Sequence, residues 1–294
     1  LGDGFNIIAS DAISVLDQTK TFIALNDGDC ADVTKDSIEI QDYDGNKVER
    51  EAKVLDIDPN AASKGTYEFY MLKEIDEQPA VMRRLSTDYL DEAGKPVVDE
   101  KIVDAVSQAD RIYIFAAGTS YHAGLVGREI FEKFTGIPTE VGYASEAGYH
   151  FPMMSKHPFF IFLTQSGETA DSLAALRLAK EKGIKTLGIV NVVGSSIARE
   201  ADNVFYTLAG PEIAVATTKA YSTQLIAAYC LAIQFAMVRG TIDEAKYLEL
   251  IQEMAQLPDK IQKIIDQTKQ SIRIFTDEFY FVGWFGSFLD NAFF

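Results

Sequence analysis

The sequence predicts an α/β protein: a doubly wound, five-stranded parallel sheet with helices on both faces, preceded by a shorter antiparallel β region. Three observations carry this. Between residues 112 and 208, five short, mainly apolar runs recur, at 112–116, 139–143, 159–163, 186–190 and 204–208. Each is closed by small or polar residues and followed by a helix-length segment, the pattern of strands buried on both faces. The first 60 residues differ, with alternating runs cut by Asn, Asp and Gly turn signals.

Taken in order, residues 21–25 run up to the turn Asn26-Asp27-Gly28-Asp29, and 37–41 alternates Ile38 and Ile40 ahead of Asp44-Gly45, a strong hairpin signal. Polar residues dominate 56–64, which reads as a boundary. Residues 66–85 have helical apolar spacing interrupted by Pro79, predicting two short helices in a connector. The last helix of the α/β region is expected at about 217–239, stopped by Gly240. Beyond it, Thr241 and Glu244 form a capping-box pattern, and Leu248, Ile251 and Met254 make an apolar stripe that Pro258 is expected to break. A second amphipathic segment carries Ile261, Ile264, Ile265 and Thr268. Residues 279–287 then lie over 112–120 without a gap, as if a second copy of the domain began there. The predicted division is 1–62, a helical connector at 63–95, the α/β domain at 96–240, a helical bridge at 241–278 and a partial repeat at 279–294.

Composition narrows the function. Of 294 residues, 47% are hydrophobic and 24% charged, the balance of a globular protein. Against 27 Lys and Arg stand 44 Asp and Glu, a net charge of −17 that repels nucleic acid and anionic membranes; neither is an expected partner. The longest apolar stretch, 225–238, is interrupted by Gln234 and falls short of the roughly 20 residues that cross a bilayer. The opening Leu1-Gly2-Asp3-Gly4-Phe5 has neither an initiator Met nor a secretion-signal pattern, so the chain is expected to start partway through a longer protein. With only Cys30 and Cys230, a disulfide scaffold is not expected, and a reducing, cytoplasmic setting is.

Two loops concentrate the chemistry. Ala117, Gly118, Thr119 and Ser120 leave the first α/β strand for a helix beginning near Tyr121, and Thr164, Gln165, Ser166, Gly167, Glu168 and Thr169 leave the third. In a flavodoxin-like strand order of 2-1-3-4-5 these strands are neighbours whose helices depart to opposite faces, and the crevice at their carboxyl ends is the usual ligand site. Glycine, helix N-termini and hydroxyl donors suit a phosphate. Neither loop holds Lys or Arg, which excludes a Walker A loop and a dinucleotide fingerprint, so ATP and NAD are not expected and no cofactor is. The plainer alternative is that the hydroxyls only cap helices. A third segment, Glu212 to Lys219 with Val215 and Thr217, either folds over a ligand or is an ordinary loop with a Thr cap and an exposed Lys. His122, His150 and His157 lack metal-ligand spacing, so no metal site is expected, and Asp27, Asp29, Asp42, Asp44 and Glu49 read as turn and hairpin residues.

Lys73-Glu74-Ile75-Asp76-Glu77-Gln78-Pro79, the Gly118-Thr119-Ser120 loop, Gln165-Ser166-Gly167-Glu168-Thr169-Ala170-Asp171 and the 215–219 segment together resemble the glutamine:fructose-6-phosphate amidotransferase (glucosamine-6-phosphate synthase) family. The resemblance covers about 7–239. It implies the tail of an N-terminal-nucleophile glutaminase domain, a connector and a first sugar isomerase (SIS) domain. It further implies that glutamine is hydrolysed at one site, that ammonia passes through a channel, and that fructose 6-phosphate is aminated and isomerised to glucosamine 6-phosphate. Self-association, as a homodimer, is expected separately, because the apolar bridge leaves surface that a partner would cover. The implied sugar-phosphate contacts are Ala117 and Gly118 (backbone), Thr119, Ser120, Thr164, Gln165, Ser166, Thr169, Val215 (backbone) and Thr217. No catalytic residue is implied within this stretch, so the chain alone is expected to be inactive. The family usually has Cys at Ala117 and Ser at Thr164, and a Gly- and Arg-containing turn where Gly283-Trp284-Phe285 stands. Two other readings stay open: a noncatalytic SIS-domain sugar-phosphate sensor, and a stand-alone aldose–ketose isomerase with Glu212 as its acid/base group.

Overall fold

The computed structural model describes residues 1–9, 15, 18–54, 63–89, 99–149 and 151–278. The expected partial repeat at 279–294 and the side chain of His150 lie outside them. Contacts divide the chain into two units, Leu1–Thr66 and Tyr67–Phe294.

In the first unit, β1 (Thr21–Ile23) pairs antiparallel with β5 (Ala52–Val54), while β2 (Cys30–Val33), β3 (Ile38–Gln41) and β4 (Lys47–Val48) form a three-stranded antiparallel sheet. Asp42 builds the β3–β4 turn, its Oδ1 accepting the N–H groups of Asp44 (3.0 Å) and Asn46 (2.9 Å). Asp29 holds Arg50 through two bonds of 2.8 Å, and this pairing lowers its carboxyl pKa to about 2.

The second unit opens with α1 (Tyr70–Asp88) and α2 (Glu100–Ser107). Alternation follows: β6 (Arg111–Ala116), α3 (Gly118–Thr135), β7 (Thr139–Tyr143), β8 (Pro158–Leu163), α4 (Ala170–Glu181), β9 (Lys185–Val190), α5 (Ser196–Glu200), β10 (Asn203–Tyr206), α6 (Lys219–Arg239) and α7 (Glu244–Glu278). The sheet is parallel throughout in the order β10-β9-β8-β6-β7, which is the predicted 2-1-3-4-5 read from its other edge. Alternate residues feed two cores. Ile112, Ile114, Phe159, Ile161, Leu187 and Phe205 pack with α1, α2, α3, α6 and α7, whereas Tyr113, Phe115, Phe160 and Phe162 pack with α4 and α5.

The fifth strand ends earlier than predicted. Thr207 still donates to Val190 O, but Leu208 turns at φ +51°, which ends the extended run. The edge strand β10 is covered at Tyr206 by Tyr89, just past α1, whose hydroxyl donates to Tyr206 O (2.9 Å) and accepts from Tyr206 N (3.1 Å). Its ring stacks on Phe205 with centroids 4.0 Å apart.

Packing overrides both prolines. α1 is one helix of 19 residues running through Pro79, not two short ones. The Ile75 carbonyl that loses its partner there accepts from Gln78 Nε2 (3.3 Å), and Pro79, Met82 and Leu85 are buried against neighbouring helices, offsetting a cost of about 3 kcal/mol. α7 likewise continues through Pro258, itself buried. The capping pattern is also displaced: Asp243 Oδ1 accepts from Lys246 N (2.8 Å), while the Thr241 hydroxyl donates to Phe134 O (2.6 Å). α6 ends at Gly240 as expected; it is long and apolar enough to cross a membrane by composition, yet 67% of its most apolar window is buried in this domain.

Candidate functional site

Register brings the two predicted loops together. β6 and β8 are hydrogen-bonded neighbours with Ala116 opposite Leu163, so the chain leaves them side by side, at Ala117 and at Thr164. From there α3 and α4 turn to opposite faces, which makes this crest the switch point of the sheet.

The first loop is shorter than predicted, because α3 begins at Gly118 and not near Tyr121. Gly118 sits at φ +57° with open space where a side chain would be, and it and Thr119 are exposed. Ser120 is buried, and Gln224 Nε2 on α6 donates to its Oγ at 3.0 Å. That bond occupies an acceptor position and leaves the Ser120 hydrogen free to donate.

The second loop is braced from within. Thr164 Oγ1 accepts from Gly167 N (3.3 Å) and stands 3.5 Å from Thr169 Oγ1; Ser166 Oγ accepts from Glu168 N (3.2 Å). Glu168 Oε1 accepts from Ser196 N (2.8 Å), and the Gln165 and Gly167 carbonyls accept from Asn191 N and Ile197 N. Gly167 is required twice over. Its φ is +70°, and a side chain there would collide with Ser195 Oγ and stand 2.5 Å from Ser195 Cβ.

The helix-capping alternative does not describe these hydroxyls. Among the described residues, Thr169 at the start of α4 makes no side-chain cap bond, and Ala117 at the start of α3 has no hydroxyl with which to make one. Both helices therefore present uncapped N–H groups and the positive ends of their dipoles at the crest.

The third segment is fastened by two carboxylates. Glu212 accepts from the Thr217 hydroxyl (2.5 Å), Thr218 N (2.8 Å) and Ala220 N (3.2 Å), so it caps α6. Both of its oxygens are engaged in fastening the segment, which does not favour the acid/base role considered for it. Glu74 Oε1 on α1 accepts from Ile213 N (2.6 Å) and Ala214 N (3.1 Å). Burial pushes the Glu74 pKa up, and those two N–H groups partly offset the rise. Lys219 is not the exposed lysine of the ordinary-loop alternative: it is 2% exposed and paired with Glu77 at 2.6 Å. Val215, by contrast, is 74% exposed. In the sequence, Glu74 and Glu77 stand out only as members of a motif, without a role, and nothing marks Gln224, which sits one residue before the apolar run.

A cavity of about 270 Å³ lies beside the crest, between 144–149 and α4, lined by Ala144, Ser145, Gly148, Tyr149, Asp171, Ala174 and Ala175. None of the ten predicted contact residues lines it. His122 is exposed and meets the Tyr121 ring edge-on, and Cys230 is buried, its thiol pushed up to about 12.

Residues 105–234 match the SIS domain family. Over 277 residues the chain is 47% identical to the glutamine–fructose-6-phosphate aminotransferase (isomerizing) of Staphylococcus aureus strain N315, an alignment covering 94% of this chain and 46% of that protein. The chain belongs to the glutamine–fructose-6-phosphate aminotransferase family. A Streptococcus pneumoniae member of the family is 46% identical over 274 residues, covering 93% of this chain and 45% of the relative. The chain thus spans about half the length of the curated family members it matches. Among solved structures, the C-terminal domain of glucosamine-fructose-6-phosphate aminotransferase from Francisella tularensis superposes with a TM-score of 0.64 at 35% identity, covering 67% of this chain and 55% of that one. Glucosamine-6-phosphate deaminase from Thermotoga maritima, at 22% identity and a TM-score of 0.50, covers 62% of this chain and 52% of its own, and shows the fold alone.

Proposed function

We propose that this chain supplies the sugar-phosphate-binding part of a glutamine-dependent aminotransferase and isomerase, taking fructose 6-phosphate and releasing glucosamine 6-phosphate, with glutamine as nitrogen donor to the whole enzyme. The observation that carries the reading is the crest itself: two uncapped helix N-termini, α3 and α4, side by side at the switch point, flanked by hydroxyls and without a cation in either loop. The phosphate sits over the backbone of Ala117 and Gly118 with Thr119, Ser120, Ser166 and Thr169 as donors. Thr164 braces the loop, and Gln165, the Val215 backbone and Thr217 face the sugar. Neutral donors hold the dianion here against a net charge of −17.

In the same reading, 1–62 is the end of a glutaminase domain, 63–95 a connector, 96–240 the first SIS domain, 241–278 a bridge and 279–294 the start of a second SIS domain, in a cytoplasmic homodimer. Calorimetry tests the site. Fructose 6-phosphate binds and fructose binds far more weakly, with moderate salt leaving the affinity largely intact, as basic-patch sites do not. Equal affinities for the two sugars would remove the phosphate from the crest. Light scattering that reports only monomer over a wide concentration range would count against the dimer.

A further inference from the structure

The 73–79 motif has no part in the crest, yet its polar side chains converge on the third segment. Glu74, Glu77 and Gln78 share one face of α1 at i, i+3 and i+4. Across from them runs 213–222. Glu74 Oε1 takes the two N–H groups of Ile213 and Ala214, at 2.6 and 3.1 Å. Glu77 takes Lys219 at 2.6 Å and faces Lys73 at 3.4 Å. Gln78 accepts from the Ser222 hydroxyl.

Glu74 is the informative member. It is 2% exposed, and its second oxygen is buried without a hydrogen-bond partner among the described residues. A carboxylate in that position is a costly way to pack α1 on its neighbours, since an apolar side chain of similar size would fill the space without desolvating a charge. What an apolar side chain cannot do is gather two consecutive backbone N–H groups. Those groups lie immediately before Val215 and Thr217, the part of the third segment assigned to the sugar. The bonds from α1 to Ile213, Ala214, Lys219 and Ser222 each join residues more than 130 apart in the chain, so the arrangement is tertiary and not a consequence of local sequence.

We propose that Glu74, supported by Glu77 and Gln78, is a positioning residue: it fixes the backbone of 213–217 so that this segment meets the sugar of a ligand whose phosphate is held at the crest. The proposal rests on the sugar-phosphate reading above. Through it, the helix that precedes the α/β sheet sets the third side of the ligand site.

The test uses the 294-residue chain, with calorimetry for fructose 6-phosphate and for inorganic phosphate, and amide hydrogen exchange at Ile213 and Ala214. Glu74→Leu removes the acceptor; it lowers fructose 6-phosphate affinity about tenfold or more, leaves inorganic phosphate affinity unchanged, and speeds exchange at both amides. Glu74→Gln keeps an acceptor oxygen in the same place and restores affinity to within about threefold of the unaltered chain. A purely structural role would move both ligands together and would show no such rescue. Should Glu74→Leu fail to fold, Glu77→Gln shifts the same readouts in the same direction by a smaller factor. Unchanged fructose 6-phosphate affinity in Glu74→Leu (or, where that does not fold, in Glu77→Gln), equal loss of both ligands there, no recovery of affinity in Glu74→Gln, or unchanged exchange at Ile213 and Ala214 in Glu74→Leu overturns the proposal. If the unaltered chain binds neither ligand, the crest reading fails by itself, and exchange alone decides: faster in Glu74→Leu upholds the positioning, unchanged overturns it.

Discussion

Gly167→Ala separates two costs that the second loop has put in one residue. The backbone there has φ +70°, where an L residue with a Cβ is disfavoured by roughly 1–2 kcal/mol. The new methyl also meets Ser195 Oγ head-on and stands 2.5 Å from Ser195 Cβ, an overpacking of about 1–3 kcal/mol in a buried setting. The loop cannot move aside cheaply, because Gly167 O accepts from Ile197 N and its neighbour Glu168 accepts from Ser196 N. The sum is about 2–5 kcal/mol, and for a unit of this size each kcal/mol lowers Tm by about 2–4 °C. The assay is chemical and thermal unfolding of four chains: unaltered, Gly167→Ala, Ser195→Gly, and the double variant. Ser195 precedes α5 without making a side-chain cap bond, so Ser195→Gly alone costs only a few tenths of a kcal/mol. Deleting its Cβ and Oγ in the double variant returns the collision energy and leaves the backbone strain, a coupling of about 1–3 kcal/mol. A double variant no more stable than Gly167→Ala, or a Gly167→Ala loss below about 1 kcal/mol, would refute the reasoning.

Thr169→Val removes one bond to a charged ligand, worth roughly 1.5–3 kcal/mol, and lowers fructose 6-phosphate affinity on the order of tenfold to a hundredfold with the fold intact; Thr169→Asp, which sets a carboxylate before the dianion, is worse. Calorimetry reads both, and indifference to Thr169→Asp contradicts the crest. Tyr89→Phe strips a donor and an acceptor from Tyr206 on the edge strand, costing about 1–3 kcal/mol, which denaturant unfolding and faster exchange of the Tyr206 amide report. Asp29, held down to about 2 by Arg50, stabilises the folded state above the ordinary carboxylate value of 3.8 and loses that contribution as pH falls through about 2. A carboxyl-carbon NMR titration places its inflection near 2, and in Arg50→Met the inflection moves up toward 3.8.

The parts of the fold legible in the sequence were those governed by local pattern. Short, mainly apolar runs located five parallel strands, and Gly240 marked the end of α6, because burial of a strand and a left-handed stop leave their mark within a few residues. The two crest loops were legible for the same reason, since Gly, Ser and Thr cluster where strands meet helices. What escaped depends on distant partners. Pro79 and Pro258 read as breaks, but their helices are sustained by neighbours that no local window contains. Ser120 read as an open loop donor, yet Gln224, over 100 residues away, reaches it inside the domain. Glu212, considered as an acid/base group, is a different case: its three donors lie only five to eight residues on, but they converge on it only when the chain turns into α6.

α6 also has the properties of a gauge block. Its first residue is locked to Glu77, Gln224 reaches Ser120 at the crest, and at the far end Arg239 Nη1 donates to the carbonyls of Ser107 (3.3 Å) and Ala109 (3.2 Å). A helix clamped at both ends has a fixed length. One inserted residue would swing everything beyond it by about 100° and slide it about 1.5 Å, so that Arg239 and Lys219 could not both keep their partners. Related proteins should therefore differ freely in the connection between α6 and α7 while holding the 21 residues of α6 to a fixed count.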